Sequence, residues 1–312
     1  MFRSADESCA GRRVLVTGGS SGIGLTTARR LAEGGANVVL LARGRDGLLD
    51  AARQVTGCCG TIVADVADFE AMEAAVTEAE RMLGGLDVVV GAAGAAAYGP
   101  LAEMDPDDYR QTVAITLLGA INTARAALPV LERRRGTLVI VGSVAGRLPV
   151  PWLAAYAAAK HGVRGFVRSL DGELRAQRRP VSVVLVSPGP VDTPFWRRAR
   201  TPDGRLPPEL LVAYPADDVA AEIARAIAAP RRLERTVGGT FALAAVIDAL
   251  APNLVQWPLG ILARVGWRAR SRRPISRDDV FAQPTVQATP SGGLSTHHSV
   301  LQRLRDRGPG AP

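Results

Sequence analysis

Short β-branched runs alternate with longer alanine-rich stretches from residue 14 to residue 187, and this alternation constrains the fold more than any other feature. The runs fall at 14–17, 37–42, 61–64, 87–90, 137–141 and 181–187. Between them, at 25–33, 70–83 and 109–131, apolar residues recur about every 3.6 positions, the period of a helix with one buried face. Strands separated by helices of that length pair in parallel, with the helices crossing over both faces. The expected architecture is therefore α/β: a doubly wound, Rossmann-type parallel sheet whose ligand sites lie beyond the carboxyl ends of the strands. A helix at 217–228 and a last strand near 235–237 extend the pattern, after an Arg/Pro-rich stretch at 195–208 expected as a mobile loop.

The first strand runs into TGGSSGIG, residues 17–24, and then into a helix. Gly18, Gly22 and Gly24 permit a tight turn and bring backbone N–H groups close to a pyrophosphate at the helix N-terminus. The second strand ends in VVLLARGR. Where many NAD sites place a carboxylate for the adenosine ribose, this chain has Ala42 followed by Arg43. A guanidinium there favours a 2′-phosphate and hence NADP(H) over NAD(H), unless Arg43 is a surface charge of the loop. Asp65, at the end of the third strand, either caps the adenine amino group or is a solvated turn residue.

Lysine and arginine together number 38, yet Lys160 is the only lysine. It stands four residues after Tyr156 in AAYAAAKHG, so the two share one face of a helix. An ammonium near a tyrosine is expected to favour the phenolate and lower its pKa. A compact ammonium also grips ribose hydroxyls in a way a planar guanidinium does not. Ser143, just past a strand in VGSVAG, is placed to hold a substrate oxygen while Tyr156 gives or takes its proton.

In combination these motifs resemble the short-chain dehydrogenase/reductase family over about residues 11–240. TGGSSGIG is similar to the family's TGxxxGxG loop, with Ser20, Ser21 and Ile23 between and beside the glycines. Asp65, followed by Val66, matches the adenine-side aspartate. Ser143, Tyr156 and Lys160 match the catalytic serine and YxxxK, and SPGPVDTPF at 187–195 resembles the family's PG motif. The resemblance implies hydride transfer between nicotinamide and a carbonyl or alcohol carbon. Tyr156 is then acid/base, Ser143 the oxygen anchor and Lys160 the tuner of Tyr156 and a ribose ligand. Pro188, Gly189 and Val191 would line the nicotinamide, and Thr193 would bind its carboxamide or a phosphate. The family's NNAG is GAAG here, residues 91–94, with Ala92 and Gly94 against the cofactor. The asparagine that helps hold a proton-relay water is replaced by Thr116, whose hydroxyl is the remaining candidate for that water.

The rims of such a site come from 92–100, 144–153 and the loop after Thr193. Ala97, Tyr98, Leu148, Val150, Trp152 and Phe195 make them apolar, which suits a lipid-like, steroid-like or polyketide-like ketone or secondary alcohol unless those residues are core or subunit contacts. The net charge of +8 is concentrated late, in Arg264, Arg268, Arg270, Arg272, Arg273 and Arg277. It reads as a solvated face rather than a nucleic-acid surface. Cys9, Cys58 and Cys59 form neither a disulfide framework nor a metal-ligand spacing, and no metal is expected. No charged-then-apolar leader opens the chain, and no run reaches the roughly 18 apolar residues of a membrane span. A homo-oligomer, dimer or tetramer, in the cytoplasm is expected.

Four regions follow: an N-terminal arm at 1–10, the nucleotide-binding domain at 11–240, an amphipathic helical extension at 241–270 and a disordered tail at 271–312. Trp257 and Trp267 flank the extension, where Arg264 and Arg268 share a face. It packs on the domain or on a partner subunit, or lies on a membrane with residues 241–273 at the headgroup level. Two rival functions remain beside the oxidoreductase: a nucleotide-binding protein impaired in catalysis, and a membrane-surface scaffold.

Overall fold

The computed structural model describes residues 7–208 and 213–268. The tail expected from residue 271, with His297 and His298, and most of the N-terminal arm lie outside the described residues.

Seven parallel strands form one sheet: β1 (Arg13–Thr17), β2 (Asn37–Ala42), β3 (Cys58–Val63), β4 (Val88–Gly91), β5 (Thr137–Val141), β6 (Ser182–Pro188) and β7 (Glu234–Val237). Their spatial order is β3-β2-β1-β4-β5-β6-β7, so the order reverses between β1 and β4. In register, Val14 lies between Val38 and Val88, and Leu15 between Val39 and Val89. Successive side chains point to opposite faces, and the sequence fills both. Val14, Val16, Val38, Leu40, Val139 and Val184 enter one core. Leu15, Val39, Leu41, Leu138, Ile140 and Leu185 enter the other. Strands buried on both faces read as unbroken apolar runs, which is why the sequence declares them.

Helices α1 (Gly22–Glu33), α2 (Arg45–Gln54) and α7 (Ala216–Ala228) cover the first core. Helices α3 (Phe69–Leu83), α5 (Gly119–Arg134) and α6 (Ala154–Ala176) cover the second. Cys9, within the expected arm, is fully buried in the first core. Strand β3 starts three residues earlier than the β-branched run suggests, because Cys58 and Gly60 pair with Val38 and Val39 across a register shift. The long helical stretch expected at 109–131 is α4 (Pro106–Val113), a π-turn at Ala114–Leu118 and then α5.

The stretch at 195–208 is a loop stitched into the molecule rather than a free strap. Arg200 N–H donates to the Ala96 carbonyl at 3.0 Å, and Tyr98 N–H donates to the Arg200 carbonyl at 2.7 Å. Beyond β7 the extension is two helices, α8 (Gly239–Leu250) and α9 (Pro252–Arg268). Ala251, in front of Pro252, leaves the helical conformation at φ -147° and ψ 75°, and the α region is disfavoured before a proline.

Candidate active site

The crevice where the strand order reverses is bounded by the loops after β1, β4, β5 and β6. In the loop after β1, Gly18 has φ +68°, and a β-carbon there would lie 2.8 Å from Ala93 N. A β-carbon on Gly24 would lie 2.3 Å from the Gly18 carbonyl oxygen. The turn therefore requires glycine at both positions. Helix α1 begins behind it with no side-chain cap and no acidic residue in its first turn. The first intrahelical bond from this end runs from Leu25 N to Ser21 O, which leaves the N–H groups of Gly22, Ile23 and Gly24 without intrahelical acceptors.

The loop after β6 lies directly on this turn. Thr193 is buried, its Cβ 3.1 Å from where a Gly22 β-carbon would stand. Gly189 N–H donates to the Val237 carbonyl at 2.8 Å, and Val191 bridges to Tyr214. Arg198, from the same loop, donates from Nη1 to Ser21 Oγ at 3.1 Å. No carboxylate pairs with it among the described residues, and burial lowers its pKa. Sequence reasoning missed Arg198, because nothing local in WRRAR marks which arginine meets a turn 177 residues away. Bare helix amides, a tight glycine turn and an arginine without an acid fit a phosphate-bearing ligand.

Arg43 and Asp65, singled out separately in the sequence, face each other as an ion pair at 3.7 Å. Asp65 also accepts from Ala67 N–H at 2.9 Å. Val66 is buried, and its carbonyl accepts from Asn122 Nδ2 at 3.0 Å. Ala92 N–H donates to Thr17 Oγ1 at 3.2 Å, holding the loop after β4 to the end of β1. Gly94 stands between Thr116 and Phe195. Ser20 is buried in the glycine turn.

Ser143 follows β5, and its Oγ accepts from Ala145 N–H at 3.1 Å. Ser143 also lies near enough to the Tyr156 hydroxyl to draw the tyrosine pKa down. Tyr156 and Lys160 lie on the inner face of α6, only 8% and 5% exposed. Lys160 Nζ donates to the Val141 carbonyl at 2.8 Å and stands 5.7 Å from the Tyr156 ring centre. The expected lowering of the tyrosine pKa by the lysine is reversed here. Burial pushes Tyr156 up to about 12, against a smaller downward pull from Ser143, and burial pushes Lys160 down to about 8. Both shifts favour the neutral form, because burial away from water penalises the charged state of each group.

Thr116 sits in the π-turn, 1% exposed. Its hydroxyl donates to the Ala95 carbonyl at 2.9 Å and accepts from Ala95 N–H at 3.1 Å. A hydroxyl has one proton to give and two lone pairs to receive with, and Ala95 takes the proton and one lone pair. The Thr116 side chain pins the loop after β4 to the π-turn, with one lone pair left over.

Around Tyr156 packs an apolar shell of Tyr98, Val150, Trp152, Leu153, Phe195, Trp196 and Trp267. The Phe195 ring lies 5.4 Å from that of Tyr156. Four of the expected rim residues are here, while Ala97 and Leu148 are buried outside this shell. Trp267 arrives from α9, 5.3 Å from Trp152 and 6.0 Å from Tyr98. Trp152 has φ +68°, a conformation that a bulky residue seldom adopts, and its Nε1 donates to the Ala263 carbonyl at 3.1 Å.

The short chain dehydrogenase family model matches residues 12–204. A hydroxysteroid 11-beta-dehydrogenase 1-like protein from Xenopus tropicalis is 34% identical over 237 residues, 72% of this chain and 79% of the relative. The 3-oxoacyl-[acyl-carrier-protein] reductase MabA from Mycobacterium avium is 35% identical over 222 residues, 69% and 81% of the two chains. The 3-dehydrosphinganine reductase TSC10B from Arabidopsis thaliana is 34% identical over 195 residues, 60% of this chain and 57% of the relative. Among solved structures, a short chain dehydrogenase/reductase from Burkholderia phymatum in complex with NAD superposes with TM-score 0.71 at 23% identity, covering 81% of this chain and 96% of that one. An alcohol dehydrogenase from Thermococcus sibiricus complexed with 5-hydroxy-NADP gives 0.64 at 26% identity, covering 72% and 95%. With the fold, the glycine turn and these likenesses together, the chain belongs to the short-chain dehydrogenase/reductase family, oxidoreductases that act on CH–OH and C=O groups with a nicotinamide cofactor.

Proposed function

We propose that this protein transfers hydride between NADP(H) and the carbonyl or carbinol carbon of an apolar substrate, with Tyr156 as the acid/base. The observation that carries the reading is Tyr156, buried on α6 with Lys160 one turn along and enclosed by a shell of aromatic side chains. The nicotinamide ring, when bound, supplies or accepts the hydride. Ser143 holds the substrate oxygen, and Tyr156 delivers the phenolic proton to that oxygen in reduction or withdraws it in oxidation. A phenol kept protonated by burial starts reduction in the form that donates. Lys160, from beside the ring, replenishes the phenolate and reaches the ribose hydroxyls. Gly18, Gly22, Ile23 and Gly24 take the phosphates, with Arg198 above them. Pro188, Gly189, Val191 and Thr193 line the nicotinamide side, and Ala92 and Gly94 the opposite wall.

The preference for NADP(H) rests on Arg43. A 2′-phosphate would exchange its weak 3.7 Å pairing with Asp65 for a shorter, doubly charged partner. The solved relatives carry both NAD and 5-hydroxy-NADP, so the choice rests on Arg43 alone. Relatives named for a hydroxysteroid and for 3-dehydrosphinganine support a largely hydrocarbon substrate. The functional unit is a homo-oligomer, and the three free thiols are in keeping with a reducing cytoplasm.

The test is turnover of steroid and long-chain ketones with NADPH and NADH, followed by loss of reduced-nicotinamide absorbance. Tyr156→Phe should abolish turnover while leaving NADPH binding intact, and an active Tyr156→Phe enzyme would overturn the assignment. Arg43→Asp should cut the NADPH-to-NADH binding ratio by about tenfold or more, and an unchanged ratio would remove the cofactor preference.

A further inference from the structure

Most of the large apolar side chains that the described residues leave exposed lie on two adjacent helices, α8 and α9. On α8, Leu243, Val246 and Leu250 recur at i, i+3 and i+7. On α9, Leu254, Trp257 and Ile261 repeat the same spacing, so each helix turns one apolar stripe outward. Leu250 is 82% exposed and Trp257 74%. No residue of α9 is buried.

Charge distinguishes between the possible occupants of this surface. Residues 239–268 carry one acidic group, Asp248, which is buried and accepts from Gln256 at 2.7 Å. Arg264 and Arg268 are exposed at the C-terminal end of α9, and the sequence continues with Arg270, Arg272 and Arg273. A second copy of the chain would bring arginines against arginines with no carboxylate between them. An anionic lipid surface complements both the stripes and the arginines, whose stems lie along apolar surface while their heads meet phosphates. Length excludes a span by either helix. At about 1.5 Å per residue, the 12 residues of α8 and the 17 of α9 fall short of the roughly 30 Å hydrocarbon core. The break at Ala251 separates them.

The inner side of α9 is part of the site already described. Trp267 stacks on Trp152 and Tyr98, and the Ala263 carbonyl accepts from Trp152. One helix therefore forms both a wall of the substrate mouth and the edge of the exposed apolar face.

We propose that α8 and α9 seat this protein on an anionic bilayer surface, so that the apolar substrate reaches Tyr156 from the lipid rather than from water. The seating stands on the helices alone, whereas the delivery route rests on the apolar-substrate reading.

The test uses the full chain with vesicles of phosphatidylcholine and phosphatidylglycerol, and with phosphatidylcholine alone. Flotation is expected with the anionic vesicles. The triple variant Leu254→Ser/Trp257→Ser/Ile261→Ser, altered only at exposed positions, should lose about tenfold or more in partitioning. Arg264→Glu/Arg268→Glu should lose binding to anionic vesicles specifically. The triple variant should still reduce a short water-soluble ketone at the parent rate and fall behind only on a long-chain ketone loaded into vesicles.

A parent chain that stays with neither vesicle, or a triple variant that floats equally well, overturns the seating. A triple variant whose sedimentation mass drops to a smaller oligomer, without vesicle binding in the parent, assigns the face to a second copy and also overturns it. Lost flotation with unchanged turnover of the vesicle-loaded ketone overturns the delivery route. Intact flotation with no ketone turned over in any form supports the seating and refutes the apolar-substrate reading on which delivery depends.

Discussion

Tyr156 and Lys160 show how far a side chain's chemistry depends on what surrounds it. Their four-residue spacing places them on one face of α6, and the sequence makes that legible. The direction of their pKa shifts was not, because desolvation comes from strands, loops and an aromatic shell contributed by distant segments. Lys160, lowered from 10.5 to about 8, opposes folding while it is charged. Between pH 8 and 10.5 the unfolded chain holds a proton that the folded chain has released, so the lysine's penalty fades and stability rises across that window. Tyr156 has the opposite sign. From pH 10 to about 12 the folded chain keeps a proton that the unfolded chain loses, and stability declines. Lys160→Met should therefore be more stable than the parent at neutral pH, by about 1–2 kcal/mol after allowing for the lost bond to Val141. The advantage should shrink as pH rises toward 10.5, as read by denaturant unfolding at a series of pH values. A constant difference would mean that the charge is not what the burial penalises.

At the scale of elements, the strands were the most legible part, because a parallel strand covered on both faces has no polar side to interrupt it. Strand β5 is Thr137–Val141, the same bounds that the β-branched run predicts. Helix α2 escaped notice, since a half-covered helix of 10 residues offers few periods to read. The π-turn at Ala114–Leu118, closed by Gly119 N–H on the Ala114 carbonyl, has no signature in the apolar period, and neither has the long-range clamp within it, Thr116 fastening Ala95 in both directions. A π-turn accommodates one extra residue in a helix and turns the helix side chains about its axis. Thr116→Val removes the hydroxyl at nearly constant volume and leaves two buried backbone groups of Ala95 without their partner. It should cost about 1–3 kcal/mol of stability, with Thr116→Ser recovering most of it. If Val is tolerated without loss, Ala95 is held by its own loop and the clamp is dispensable.

Across the whole molecule, the site is a meeting of loops from the same ends of four strands, and the contacts that close it join segments far apart in sequence. Ser143, Tyr156, Lys160 and the glycine turn could be read in advance because their spacings are local. Arg198 and Trp267 could not, since each gains its place only when the sheet is assembled. Arg198 ties the loop after β6 to the turn after β1 through Ser21. If that guanidinium is held there for the cofactor's phosphates, Arg198→Ala should weaken nucleotide binding by about tenfold, the scale of one charge-assisted contact. The variant should also bind with a shallower dependence on salt. Weakened binding with an unchanged salt dependence would assign Arg198 to loop packing instead.

The chain has four tryptophans, and their placement gives the molecule two optical reporters without any label. Trp152, Trp196 and Trp267 belong to the aromatic shell over Tyr156, so their emission should be quenched when a reduced nicotinamide absorbs beside them. Trp257 faces outward on α9 and contributes the red-shifted part of the spectrum. Emission recorded at two wavelengths should therefore separate events inside the crevice from events on the outer helices, and Trp257→Phe isolates the first signal from the second.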